Sequence, residues 1–566
     1  MKLTRLAYAL LAAAIAPGAA AFDIGSPKNP DRQVTVHGSV QVDALFPEED
    51  AVIGTEKYKE KLLGNVYANA GLFSKYVDAG LRIEYLEHPM PGFTDQGFKG
   101  WGVGNFYATG KYKGFQLTAG DFYEQFGSGL ILRTYEDRSL GIDNAIRGGR
   151  LKIDALRGFH FTLLGGVQRR YWDWSTNTRL YGADVEWEMQ EHIKPLARHG
   201  IVWTLGASWV AKQERYGRGD SIRTTVNDQQ VFLNLPERVN AMDVRTHFNK
   251  GDFDIQAEFA WKHADPSADN NYTFRRGTAL MLSASYTRSG LSALVQAKRS
   301  EDMSFRSQRS MTGLSTFINN MPPFAYQHTY ALASMYPYAT QNAPGEWAFQ
   351  ADFAYTFKRK TALGGRYGTK LRVNFSYIRG IDREGQWKTN DKALWGTDGL
   401  KTKFFGLGDL YYQDVNVQVD KKLSRVVSLN AMYMFQRYNQ TVMEGHGGII
   451  DSHIAVAEGK FRCSDKVTLR AELQGLFTKQ DKGDWVYGLV EVSVLPYLMI
   501  GASDQWNVGN KEAKTHYYMF NVTGNYRNNR LMFGYGRTRE GYNCSGGVCR
   551  YVPATRGFQL TYSYNF

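Results

Sequence analysis

The sequence predicts an all-β protein: a transmembrane antiparallel up-and-down β-barrel of about 24 strands, within a range of 22 to 26. Three observations predict it. An export leader opens the chain and no later apolar run is long enough for a membrane helix. Segment after segment alternates apolar and polar residues with period two. The connections between these segments alternate short and long.

The elements follow in chain order. Residues 1–21, MKLTRLAYALLAAAIAPGAAA, combine basic Lys2 and Arg5, an apolar Leu6–Ala16 stretch, a Pro17-Gly18 break and small Ala19-Ala20-Ala21. That is the pattern of a cleaved signal peptide. Residues 22–33 form a short N-terminal segment, and the barrel is expected over 34–566. Val34 to Val42 alternates around His37, Ser39 and Gln41; Val77, Ala79, Leu81, Ile83 and Tyr85 alternate with Asp78, Gly80, Arg82 and Glu84. Further on, Phe253, Ile255, Ala257, Phe259 and Trp261 alternate with Asp254, Gln256, Glu258 and Lys262, and 467–477 repeats the pattern. In hydrocarbon no backbone group can stay unpaired, so a sheet with one apolar face must close on itself. A secreted β-sandwich would show shorter strands and no turn/loop asymmetry.

Tight links are expected at Ser74-Lys75, Lys113-Gly114, Arg157-Gly158, Asn249-Lys250-Gly251, Ser289-Gly290, Lys421-Lys422, Ser464-Asp465, Pro496-Tyr497 and Asn528-Asn529. Longer polar loops are expected near 46–61, 87–101, 123–148, 214–238, 264–276, 300–345, 379–404, 438–448 and 540–556. Residues 190–200 and 358–368 fall on the short-turn side yet are long. Trp101, Tyr171, Trp172, Trp187, Trp347 and Trp485 lie near strand ends, where they suit interfacial girdles.

The chain closes on GFQLTYSYNF, in which Phe558, Leu560, Tyr562, Tyr564 and Phe566 alternate with Gln559, Thr561, Ser563 and Asn565. This strand is expected to pair back onto Val34–Val42 and leave no edge. A leader, ten-residue alternating strands and this terminal aromatic pattern resemble Gram-negative outer-membrane β-barrel proteins. The stretch GDFYEQFGSGLILRTYEDRSLGIDNAIRGG, Gly120–Gly149, further resembles an uncharacterised barrel family of Bacteroidota, which has no assigned activity. The general resemblance implies short periplasmic turns, long extracellular loops, outer-membrane lipid around the barrel, and recognition of Tyr562, Tyr564 and Phe566 by the barrel-assembly machinery.

The net charge is +13 without a dense Lys/Arg cluster, so scattered lumen charges explain it better than nucleic acid. Of three cysteines, Cys544 and Cys549 sit in NCSGGVC and suit a loop disulfide in an oxidising compartment; Cys463 is left over as an inert thiol. There is no HExxH, P-loop, GxSxG or CxxC pattern, and the eleven histidines are scattered. The sequence therefore points away from an enzyme, and neither cofactor nor metal is expected.

With only residues 22–33 ahead of the first strand, a siderophore-type plug domain is not expected. Two loops could narrow the lumen instead. Residues 123–148 mix Glu124, Arg133, Glu136, Arg138 and Asp143 with Leu130-Ile131-Leu132; the loop either folds inward or packs outside on its neighbours. Residues 300–345 carry Met303, Phe305, Phe317, Met321, Phe324, Tyr326, Tyr330, Tyr336 and Tyr338, which suit a ligand lip, a lid, a protein-partner surface or simple self-packing. The expected function is a porin-like or substrate-specific passive channel for a small solute. The alternatives are a structural or docking barrel of a surface or secretion complex and, last, a rim-sited hydrolase.

Overall fold

A computed structural model describes residues 22–24, 33–55, 57–93, 96–174, 177–215, 223–226, 229–384 and 401–566. The expected signal peptide lies outside the described residues.

Twenty-four antiparallel strands close into one barrel. In chain order they are β1 Val34–Pro47, β2 Leu63–Ser74, β3 Val77–Leu86, β4 Gly100–Tyr112, β5 Phe115–Phe122, β6 Ile146–Leu156, β7 Phe159–Gln168 and β8 Thr178–Glu188. There follow β9 Ile201–Glu214, β10 Arg238–Lys250, β11 Phe253–Lys262, β12 Gly277–Arg288, β13 Leu291–Glu301, β14 Glu346–Phe357, β15 Thr369–Glu384 and β16 Lys401–Lys422. The last third is β17 Val427–Asn439, β18 Ile449–Arg462, β19 Val467–Phe477, β20 Trp485–Val494, β21 Leu498–Trp506, β22 His516–Tyr526, β23 Asn529–Thr538 and β24 Thr555–Asn565. Each pairs with its sequence neighbour, and β24 returns to β1 in a register running from Ser39↔Asn565 to Pro47↔Gly557. The short strand Phe22–Ile24 continues the β1 edge beside Val34–Val36.

Nine connections at one end are short turns. Lys113 and Gly114 both take positive φ, 45° and 84°, which matches the twist of a two-residue hairpin. The other two links at this end are longer: 189–200 holds a 3-10 turn and the helix Lys194–Arg198, and 358–368 is irregular. The opposite end carries the loops, including 169–177, 478–484 and 507–515, which are too short to stand out in the sequence. Of the expected loop 379–404, residues 379–384 and 401–404 belong to β15 and β16, and residues 385–400 lie outside the described residues.

Alternation puts one set of side chains outside and the other inside. On β11, Phe253, Ile255 and Phe259 are exposed on the outer face while Glu258 and Lys262 are buried on the inner one. The same outer face shows Leu81, Ile83, Phe106, Leu117, Val244, Leu282, Val295 and Val490 uncovered. Outward aromatics gather near both strand ends. Tyr112, Phe115, Trp187, Trp203 and Phe253 lie toward the turns, and Trp101, Tyr181, Trp209 and Trp506 toward the loops.

Three expected girdle residues are elsewhere. Trp485 points inward and is 1 % exposed, because its partner across the ladder, Leu476, is on the core-facing side. Tyr171 and Trp172 sit in loop 169–177 and pack on Phe98, whose ring meets Tyr171 edge-on at 4.8 Å. Trp347 faces outward but lies under Phe404, which reaches across from the extended end of β16.

Candidate functional site

Twenty-four strands spaced about 4.8 Å apart and tilted about 40° enclose a space roughly 45–50 Å across between backbones. The interior of this barrel is filled, at its loop end, by two of its own loops.

Loop 123–145 leaves β5 and folds against the inner wall. Phe126, Leu130, Ile131 and Leu132 are buried with Leu164, Leu180, Val210, Ala241 and Ala260, the inward residues of β7 to β11. The Ser128 amide donates to Glu258 on β11 at 2.9 Å. Its polar side chains tie it to the opposite flank. Arg82 on β3 pairs with Glu84, Glu136 and Asp143, and Arg169 pairs with Glu84 and Asp143. Arg138 bonds Glu136 at 2.6 Å and Gln41 at 2.9 Å, and lies over the Tyr67 ring. Glu124 meets Arg150 and Lys152 of β6 at 3.0 and 2.9 Å. Burial raises Asp143 above the usual carboxylate range despite its two arginines, and Glu84 and Glu136 add to the rise. The same burial raises Tyr123, whose hydroxyl donates to Asp143 at 3.0 Å. Arg133 lies over the Tyr135 ring, and its amide donates to the carbonyl of Ile318.

Loop 302–345 packs beside it along the inner wall. It starts and ends side by side, the Met303 amide donating to the Asn342 carbonyl at 3.0 Å. Met303, Phe305, Ile318 and Met321 join the cluster around Leu130–Leu132. Leu332, Met335, Tyr336 and Tyr338 pack on the inward side chains Ile378, Met434, Ile454 and Trp485 of β15 to β20. Polar bonds follow the same wall. Arg309 reaches Glu214 on β9 at 2.9 Å, and Lys298 on β13 donates to the Pro322 carbonyl at 2.6 Å. The Tyr326 amide donates to Ser376 at 3.1 Å, Tyr330 to Asn430 at 2.8 Å, and the Leu332 amide to Gln474 at 2.8 Å. His328 is hydrogen-bonded to buried Asp414. None of the nine apolar and aromatic residues expected to form a lip, lid or partner surface is exposed. Their abundance is accounted for by packing inside the barrel.

The two loops meet in the middle. Asn319 donates to the carbonyls of Leu130 and Met303, both at 2.8 Å. Asn144 and Gln168 both donate to the Phe317 carbonyl, at 2.9 and 2.6 Å. The two insertions pack as one body, which neither shows when read singly. The missed signal is Asn319-Asn320, two amides in an otherwise apolar stretch.

Above them sits the hairpin Gly541–Ser545/Val548–Val552, closed by a disulfide between Cys544 and Cys549, whose Cα atoms are 4.0 Å apart. It touches three loops: Thr340 donates to the Gly547 carbonyl at 2.9 Å, and Arg550 donates to Ser139 and Pro91 carbonyls at 2.9 and 3.3 Å. Cys463 is a free, exposed thiol in a turn. At the seam, Tyr564 is buried and stacks on Phe566 with ring centres 5.7 Å apart, and Tyr562 donates to Asn529 at 2.7 Å. The Phe566 ring lies over Gly38, where any Cβ would collide with it.

A family model described as a family of unknown function, DUF6029, matches residues 1–566. The chain belongs to DUF6029. No curated protein matches this DUF6029 member. Among solved structures, a mutant of the ferric enterobactin receptor of Pseudomonas aeruginosa is similar at 10 % identity and a TM-score of 0.40, over 94 % of this chain and 80 % of that one. An E. coli P pilus tip assembly intermediate is similar at 10 % identity and 0.45, over 97 % and 62 %. OccK10 of Pseudomonas aeruginosa is similar at 12 % identity and 0.31, over 83 % and 98 %. At these identities and scores the likenesses carry nothing about what the chain does.

Proposed function

We propose that this chain is an outer-membrane β-barrel of a Gram-negative, Bacteroidota-type cell, and that it acts as a substrate-selective passive channel constricted by its own loops. The carrying observation is the pair of loops, 123–145 and 302–345, packed on opposite inner walls and bonded to each other. A closed sheet with an uncovered apolar exterior and aromatic bands near both strand ends suits a bilayer. The leader at 1–21 would export the chain, and Tyr562, Tyr564 and Phe566 would present the closing strand to the assembly machinery. On this reading Glu124, Glu136, Arg138 and Asp143 anchor the constriction and Arg133 lies inside it; the working protein needs no cofactor.

Planar-bilayer recording tests the reading. The full chain should give small, discrete current steps. A variant in which residues 304–341 are replaced by two glycines can close without strain, because Met303 and Asn342 are already hydrogen-bonded. It should conduct several-fold more. Folded barrels of both forms that pass no current would overturn the channel.

The number of bonds holding the loops favours a second reading, a sealed scaffold or docking barrel. It predicts partners that co-purify through the loop-end hairpin 541–552, and a shortened 302–345 loop that leaves their capture intact.

A further inference from the structure

Two cavities share one short segment of loop 302–345 as part of their lining. The outer one holds about 280 Å³ and is bounded on the loop side by Tyr542, Asn543 and the Cys544–Gly547 tip of the disulfide hairpin. The inner one holds about 370 Å³ and is bounded by Arg372, Asp420, Asn430, Glu458, Lys460 and Arg470, all near the turn ends of β15 to β19. Tyr326, His328 and Thr329 line both. That segment is pinned to the wall by the hydrogen bond between His328 and Asp414 and by the one the Tyr326 N–H donates to the Ser376 hydroxyl.

The linings speak to the solute. Among the described residues the outer cavity is lined by no Asp, Glu, Lys or Arg, and His328 is the one basic side chain there. Tyrosine rings alternate there with neutral donors and acceptors, including Gln327, Thr329, Ser334 and Asn543. An ion entering it would lose hydration without gaining a counter-charge, whereas hydroxyls could exchange water for these groups. Ring faces also suit the C–H faces of a saturated ring. The inner cavity is charged, yet its charges are spent on one another: Arg372 with Asp420 at 2.7 Å, Lys460 with Glu458 at 2.9 Å, Arg470 with Glu458 at 3.0 Å. Such paired polar walls can bond hydroxyls without selecting an ion. The outer volume lies just below, and the inner one at the small end of, the roughly 300–1,000 Å³ of ordinary ligand pockets.

We propose that the two cavities are the outer and inner halves of one permeation route for a small uncharged polyhydroxylated solute, with Tyr326–Thr329 as the partition between them. The proposal rests on the channel reading and adds its route and solute class.

The test uses the full chain in proteoliposomes, in a Cys463→Ser background, with swelling measured in glucose, gluconate and glucosamine. Glucose should enter about tenfold faster than either charged sugar, the ratio for about 1.4 kcal/mol of unrecovered desolvation. In the further variant Thr329→Cys, which adds an exposed thiol on the shared segment, maleimide-biotin labelling confirmed by mass should stop glucose entry. Three equal rates, a thiol that does not label, or glucose entry that persists after labelling would overturn the route while leaving a channel. No entry of any solute in any variant would overturn the channel reading as well.

Discussion

Asp265, in the loop after β11, faces three cations: Lys212 at 2.8 Å, Arg309 at 3.7 Å, and Lys262. Burial pushes this carboxyl up, but the cations outweigh it and hold it below its usual range. A carboxylate held low in the folded state stabilises the fold above the ordinary carboxylate range and loses that contribution as pH falls through its lowered value. Asp265→Asn should therefore lower the unfolding free energy read from urea titration in detergent at neutral pH by about 3 kcal/mol, because it takes one partner out of a buried charge cluster in which Arg309 and Lys212 then share Glu214. The gap from wild type should narrow on acidification; an equal gap at every pH would refute the role. Trp485 marks where residue-level reading stopped. Period two says that alternate side chains share a face but not which face is inside. Near the loop end both faces are apolar, because the inner one is covered by loops.

Among elements, the strands and the turn/loop asymmetry were legible because each is a local pattern. The fate of 123–145 and 302–345 was not, because it depends on Asn319 meeting Leu130 across 189 positions of sequence. The segment β5–β7 shows another device. Gly120, Gly148 and Gly166 stand in register on adjacent strands. A Cβ on Gly148 would come within 2.0 Å of the Gly165 carbonyl, and one on Gly166 within 2.3 Å of the Arg147 carbonyl. Glycine here lets strands approach and bend where a side chain would force them apart. Gly148→Ala should cost about 1–3 kcal/mol by overpacking. Its neighbour Gly149 has open space at the Cβ position, so Gly149→Ala should stay within about 0.5 kcal/mol. Urea midpoints of the two variants side by side check the contrast; equal losses would remove the packing explanation.

At the scale of the whole molecule, every pair of barrel strands but one among the described residues joins neighbours in sequence. The exception is β1 with β24, which sets Ser39 opposite Asn565. A stop codon before Thr555 would leave β1 and β23 as bare edges. Such a chain should fail to give a compact, heat-modifiable band on gels and should form cross-linkable oligomers; a compact monomer would show that closure is dispensable. The seam also imposes an order in time. Bringing together ends some five hundred residues apart costs about 5–6 kcal/mol in chain entropy beyond a constant, while each hairpin closes cheaply. The hairpins therefore zip first and the clasp shuts last. Until it does, the growing sheet carries two open margins that cannot distinguish their own partner from another chain's. The speed at which the last strand is delivered, rather than the strength of any one contact, then governs how much of the protein arrives as single barrels.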